Sequence, residues 1–388
     1  MPNHEPVGAL LLDRCVATPL LSIRLARPFF LLFSFLRASD RPLILSGTLD
    51  SACVPRETVK AGDLRARPLR AKRWETPMQS TSRRWSAHAR WVVATTGIAI
   101  GLTGGLAPPV AAQQEMSDVE VTATHVAGNV YMLQGRGGNI GVSVGSDGVL
   151  LVDDQYAPLA DKIRASLEEI VGGAVELEFV LNTHWHGDHV GGNVEFGLEA
   201  PVIAHTNVRE RMSTRQETSF GVVEPSPPEA LPVLTFGDSV SIHFNGEEIR
   251  AIHYPHGHTD GDAVIYFTGS NVVHMGDVHF AGRFPFIDLS SGGSVRGVID
   301  AVTRVLDHVP SDASVIPGHG PLSTVADLRE YLEMLNESVA FVEAGIEAGK
   351  SLDDLQAEGV PERWAGWSWQ FIDEDRWIEI VHGSLQGS

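Results

Sequence analysis

From Val119 onward, apolar and polar residues alternate in short runs broken by Gly, Asn and Asp, a pattern that predicts strands over 119–126, 129–134, 139–144 and 149–153. Strands spaced so closely pair as antiparallel hairpins. Ile163, Leu167 and Ile170 then recur at helical spacing and predict a helix over about 158–171, followed by a strand over 177–181 that ends in Asn182-Thr183. Further on, the pattern reads as strand 201–204, helix 207–213 and strands near 240–244, 249–253, 263–267 and 271–274. A helix over 294–309, a strand over 313–316 and a long helix from 324 to about 349 close the pattern, with no repeat of fixed period. Two β-rich blocks, each followed by helices, predict a layered α/β domain with helices outside a pair of sheets. The Pro-rich stretch 224–232 reads as an exposed loop, because strand signals resume at once. Residues 351–388 carry Trp364, Trp367, Trp369 and Trp377 and predict a helical tail packed by its aromatics.

Charge divides the chain differently. Residues 113–388 hold 14 basic against 42 acidic residues, a formal charge of −28, and neither of the two cysteines, Cys15 and Cys53. Such a surface repels nucleic acid and anionic lipid, which excludes both as partners of the folded part. Upstream, Met78 opens a second plausible start. Arg83, Arg84 and Arg90 form a basic region, the run from Trp91 to Ala107 is uncharged and apolar, and Val110-Ala111-Ala112 supplies small residues. Residues 78–112 therefore read as a signal peptide, which makes the mature protein periplasmic or secreted and leaves no membrane contact after cleavage. Residues 1–77 show no sustained period and read as a non-native or disordered leader, so that 113–388 forms the folded domain.

Candidate chemistry concentrates in Thr183-His184-Trp185-His186-Gly187-Asp188-His189, directly after the apolar strand 177–181. Three imidazoles and a carboxylate at a strand end can converge on one point, and neutral imidazole with carboxylate suits divalent zinc. His258 in Gly257-His258-Thr259, Asp277 in Gly276-Asp277 and His319 in Gly318-His319-Gly320 stand at later strand ends beside glycine and would complete a two-metal site. The other histidines read differently. His256 is a loop residue, His279 is a candidate substrate-facing group, and His125, His205, His243, His253, His274, His308 and His382 are ordinary core or surface positions. Arg209, Arg211 and Arg215 read as a solvated helix face.

With these residues in view, the chain resembles the metallo-β-lactamase superfamily over most of 119–349, through its His-x-His-x-Asp-His motif and the ordered later ligands. The resemblance implies an αββα four-layer sandwich with metals in a cleft at one edge of the two sheets. It assigns His184, His186 and His258 to one zinc and Asp188, His189 and His319 to a second, with Asp277 bridging both or binding the second alone. It also implies catalytic roles for Asp188 and His258. In the zinc β-lactamases a cysteine stands at the position of Asp277; an aspartate there resembles glyoxalase II and the lactonases, and a hard oxygen would admit metals other than zinc at the second site.

Two such ions can share a water and hold it as hydroxide near neutral pH, which agrees with the absence of cysteine from residues 113–388. The expected activity is a binuclear zinc hydrolase that opens β-lactam rings with a metal-bound hydroxide. The alternative is a thioesterase of the glyoxalase II kind, or a lactonase, with the same fold. The substrate is in either case a small molecule, a β-lactam or another cyclic amide or ester. Arg136 and Arg283 are candidate partners for a substrate carboxylate. The short hairpin tip Gly135-Arg136-Gly137-Gly138 carries no aromatic lid, so an open, promiscuous cleft is expected.

Overall fold

The computed structural model describes residues 116–387; the leader and signal peptide expected over 1–112 lie outside the described residues. Alternation along the strands sorts side chains to two faces. In the segment Gly148–Val152, Leu150 and Val152 point one way into a core between two sheets, while Leu151 points the other way toward a helix.

The first sheet contains β1 (Thr122–Ala127), β2 (Val130–Gln134), β3 (Ile140–Gly145), β4 (Gly148–Val152), β5 (Leu177–Leu181) and β6 (Val202–His205). A two-stranded hairpin, β7 (Gln216–Thr218) and β8 (Gly221–Val223), stands apart from it, and β9 (Leu234–Phe236) is its seventh strand. β1 to β4 run antiparallel as hairpins, and β4, β5, β6 and β9 run parallel. The second sheet has six strands: β10 (Ser239–Phe244), β11 (Glu247–His253), β12 (Ala263–Phe267), β13 (Val272–His274), β14 (Ser314–Ile316) and β15 (Ser323–Thr324). Its pairs are antiparallel except β13 with β14.

Between the sheets, Met132, Leu150, Val152 and Leu181 meet Ile249, Ala251, Ile265 and Phe267, all buried. On the outer face of the first sheet lies α1 (Ala160–Val171), which presents Ile163 and Leu167 to Val142 and Leu151. A shorter helix, α2 (Thr206–Ser213), follows β6. The outer face of the second sheet is covered by α3 (Val295–His308) and α4 (Val325–Glu347). α4 buries Leu328, Tyr331, Met334, Leu335 and Val339 at three- and four-residue spacing, and Thr324 with Asp327 closes its first turn as a capping box. The layers therefore run α, β, β, α, as expected for a metallo-β-lactamase fold.

Beyond α4, α5 (Leu352–Glu358) and α6 (Glu374–Gln386) pack back on the second sheet's helices. Trp364 and Trp377 are buried there, and the Trp377 Nε1–H donates to Ser338 Oγ at 2.9 Å. Trp377→Phe removes that bond and leaves part of the indole volume empty. An expected loss of about 1–2 kcal/mol in urea unfolding follows; an unchanged midpoint would show that the tail adds nothing to the domain's stability. Among the described residues, no helix is long and apolar enough to cross a membrane.

Candidate metal centre

The strand directions bring the candidate ligands to one edge. β11 and β13 both run antiparallel to β12, and β14 runs parallel to β13, so all three end on the same side. His258 follows β11, Asp277 follows β13 in the turn Gly276–Val278, and His319 follows β14. From the other sheet, β5 ends at Leu181, delivering His184 and His186 in a loop and Asp188 and His189 in the helical turn Gly187–Val190.

The imidazoles of His184, His186 and His258 are each oriented by a bond at the far nitrogen. Thr183 Oγ1 donates to Asp153 Oδ2 at 2.7 Å and thereby accepts from His184 Nδ1 at 3.1 Å. His186 Nε2 donates to Asp288 Oδ2 at 3.0 Å, and His258 Nδ1 donates to the Phe286 carbonyl at 2.8 Å. The remaining nitrogens, His184 Nε2, His186 Nδ1 and His258 Nε2, therefore carry lone pairs and no proton when the rings are neutral. Yet they converge, with His186 Nδ1 3.2 Å from His184 Nε2 and 2.8 Å from His258 Nε2. Three lone pairs so close repel unless a cation lies among them. Burial, with His189 close by, pulls His184 well below the ordinary histidine range, and burial brings His258 down to about 4, so both rings are neutral at pH 7 and ready to ligate.

A second set lies beside the first. His189 Nδ1 donates to Asp153 Oδ2 at 2.7 Å, which leaves His189 Nε2 buried with no hydrogen-bond partner, facing Asp277 Oδ1 at 3.0 Å, itself buried and without a hydrogen bond. Asp188 Oδ2 lies 3.6 Å from His189 Nε2 and 3.3 Å from His319 Nε2. Asp277 Oδ2 is 3.4 Å from His319 Nε2, 3.5 Å from His258 Nε2 and 3.9 Å from His184 Nε2, so one carboxylate reaches both sets. Burial opposes ionisation of Asp277, but His319, His189 and the neighbouring imidazoles outweigh it and hold the carboxyl well below its ordinary range. Likewise burial works against charge on His319, and Asp277 and Asp188 overcome it, raising the ring to about 9. This half of the site attracts positive charge, and a divalent ion fits it. His184, His186, His258 and Asp277 form one group able to hold a metal, and Asp188, His189 and His319 form another. Glycine makes room for them, since a Cβ at Gly138 would clash with the His189 ring.

The centre opens at the floor of a cleft of about 810 Å³, where His186, Asp188, Asp277 and His319 line one end. Of the expected substrate contacts, only Arg136 lies on this cleft. His279 does not: it is fully buried beneath Asp277's turn, within 3.3 Å of Ser323 Oγ and edge-on to Tyr331. Arg283 stacks 5.0 Å over the Trp369 ring instead of facing the metal ligands. His258 has both nitrogens committed, one to Phe286 and one toward the cluster, so it is placed as a candidate ligand and has no free nitrogen for acid–base work. Arg211 is a further correction. It binds both oxygens of Asp260 at 2.7 Å, lies over Trp185 and lines the cleft, so it is no part of a solvated helix face. His256 is exposed, with a positive φ of 58° and Nδ1 on the Gly292 carbonyl, in keeping with a loop residue.

The sequence assigns no role to the Asp153, Thr183 and Asp288 side chains, because the contacts that give them one are made by folding: Asp153 and Asp288 meet His189 and His186 from distant segments. Asp153 follows a strand with φ 64°, a conformation that aspartate tolerates better than most residues, and this is the one local signal it offers.

A family model described as the metallo-beta-lactamase superfamily matches residues 125–342. The chain is 34% identical over 140 residues to a hydroxyacylglutathione hydrolase of Gloeobacter violaceus, covering 34% of this chain and 49% of that protein. It is 27% identical over 152 residues to an atrochrysone carboxyl ACP thioesterase of Aspergillus fumigatus, covering 39% of this chain and 31% of that protein. The chain thus spans half or less of the length of these two relatives. Among solved structures, a metallo-beta-lactamase from Pontibacter korlensis is similar at a TM-score of 0.47 and 17% identity, over 56% of this chain and 99% of that one.

Proposed function

The chain belongs to the metallo-beta-lactamase superfamily of hydrolases, and from that premise we propose that it is an exported, binuclear zinc enzyme that opens β-lactam rings. The observation that supports the binuclear reading is the single carboxylate of Asp277, whose two oxygens lie within 3.9 Å of nitrogens in both groups of candidate ligands. In this reading His184 Nε2, His186 Nδ1 and His258 Nε2 hold one ion. Asp188, His189 Nε2 and His319 Nε2 hold the other, and Asp277 serves both. Zinc ions bound there would supply Lewis acidity toward a substrate carbonyl and lower the pKa of a water. Export rests on the segment 78–112, whose basic start and apolar run have the composition of a signal peptide.

The chain's own groups then have separate tasks. Burial raises the carboxyl pKa of Asp188, but His189 and His319 more than offset this and hold it at about 2, so it stays ionised and can accept a hydrogen bond that directs the attacking water. Tyr156, on the cleft wall, is kept as a neutral phenol by burial and by the nearby Asp188 charge, and offers the substrate a donor. Ring opening adds water across the amide bond: the carbonyl carbon takes the hydroxyl and the ring nitrogen takes the proton. Asp288 and Asp153 hold His186 and His189 in the tautomers that ligation needs.

Thioester hydrolysis is the second reading. It is favoured by an aspartate in the shared position and by the names of the hydroxyacylglutathione hydrolase and thioesterase relatives. The test is hydrolysis of a chromogenic cephalosporin and of an acyl thioester by the zinc-loaded protein, followed by chelation and zinc restoration. Expected are cephalosporin turnover that falls by at least about a hundredfold on chelation and returns with zinc, and a lower melting temperature for the stripped protein. Thioester turnover without cephalosporin turnover would select the second reading. Activity toward both substrates that survives complete metal removal would refute the metal centre.

A further inference from the structure

The hairpin tip Gly135–Gly138 carries no aromatic, but an aromatic wall borders the cleft elsewhere. That wall is built by two segments remote in sequence, the turn of the β7–β8 hairpin and the stretch before α6. Phe220 and Phe371 meet there as stacked rings with centroids 5.5 Å apart, and both pack on Phe286, at 5.3 and 5.8 Å. Phe286 in turn lies 6.0 Å from the His186 ring and 5.9 Å from His258, and Trp369 bridges Phe371 at 5.6 Å to His319 at 6.3 Å. A continuous aromatic surface therefore runs from the ligand histidines to the cleft mouth, one ring layer deep.

The two outermost rings stay in water. Phe220 is 64% exposed and Phe371 48% exposed. Leaving paired phenyl rings in water at the rim of a polar site is unfavourable unless something apolar covers them. Arg211, which also lines the cleft, is already held by both Asp260 oxygens.

We propose that the Phe220–Phe371 wall is a specificity device that grips a bulky apolar group, an alkyl or aryl acyl substituent, on the substrate whose bond is cut at the metal centre. This rests on the hydrolase reading and extends it to a substrate class. The wall lies a ring layer away from the reacting bond and touches a part of the substrate that does not change during reaction. Its contribution is uniform binding and falls on KM more than on kcat.

The test uses N-acetylcysteamine thioesters from acetyl to octanoyl with the zinc-loaded protein, together with calorimetric binding of acetate and octanoate. Six added methylenes, even if only partly covered, raise kcat/KM by at least about tenfold from acetyl to octanoyl, through a falling KM. Octanoate binds more tightly than acetate by a similar factor. In the Phe220→Ala/Phe371→Ala variant both ratios collapse to about twofold, whereas Phe220→Leu/Phe371→Leu keeps most of each by preserving apolar area. Equal binding of the two acids by the parent protein, or a gradient that survives the double alanine change, overturns the wall. Absence of any thioester or cephalosporin turnover alongside a binding gradient that the alanine variant loses would instead overturn the hydrolase reading and leave the wall standing.

Discussion

Asp277→Asn is expected to lower kcat/KM by about a thousandfold or more and to leave the protein with fewer than two tightly held ions after dialysis. The reason is geometric. Asp277 is 5% exposed, and its two oxygens lie between 3.0 and 3.9 Å from nitrogens of His184, His189, His258 and His319. Among the described residues, no other carboxylate lies within 4 Å of imidazole nitrogens of both groups. Asparagine has nearly the same volume but no charge, and it turns one acceptor into an amide donor that cannot serve as a ligand. The fold should survive, since α3, α4 and the inter-sheet core do not depend on this side chain. Metal content measured beside the rate separates the outcomes. Two retained ions with a parent-like rate would remove Asp277 from the shared position, while one retained ion with no activity would place the chemistry in the pair.

Much of this site was legible beforehand because the ligands follow strand ends in order, and the reason is physical. A strand that terminates in a glycine-rich turn fixes where its next polar side chain points, so His184, His258, Asp277 and His319 could be read one after another as a converging set. The strand pattern was legible for similar reasons, with β1 to β5 and β10 to β14 found within a few residues of their predicted positions. What escaped was set by tertiary contact. β9 and β15 are three and two residues long and form only because a neighbour offers an edge. Phe220 and Phe371 are exposed and carry no period, so nothing local distinguishes them from surface aromatics, yet distant segments bring them within 5.5 Å. Arg211 looked like one of three cations on a helix. Asp260, distant in sequence, decides that it is held, and no spacing rule connects the two.

His279 shows the reverse error. Its place two residues after Asp277 suggested a substrate contact, but the chain turns at Gly276–Val278 and the next side chain enters the core. Proximity in sequence to a ligand is informative along a strand, where direction persists, and loses meaning across a tight turn. The same reasoning explains why Trp369 serves the cleft while Trp364 and Trp377, in the same tail, serve the core.

The pair Asp153→Ala and Asp153→Asn should separate what holds the fold from what holds the metal. Asp153 is fully buried and accepts three hydrogen bonds at 2.7 Å, from the Thr183 N–H, Thr183 Oγ1 and His189 Nδ1. Alanine leaves three buried donors without an acceptor and is expected to cost about 3–5 kcal/mol in urea unfolding of the metal-free protein. Asparagine can still accept from Thr183 and tolerates the positive φ, so a smaller loss of about 1–2 kcal/mol is expected. Its amide, however, presents a donor where His189 Nδ1–H needs an acceptor. The imidazole then favours the tautomer with the proton on Nε2, the nitrogen that faces Asp277 and the second ligand group. Metal affinity of that group should therefore fall by about 10–100-fold in Asp153→Asn even though most of the stability is retained. Calorimetric zinc titration set beside urea unfolding reads the two effects independently. An asparagine variant that binds two ions as tightly as the parent would show that the His189 tautomer does not control the site, and that Asp153 is there for the fold alone.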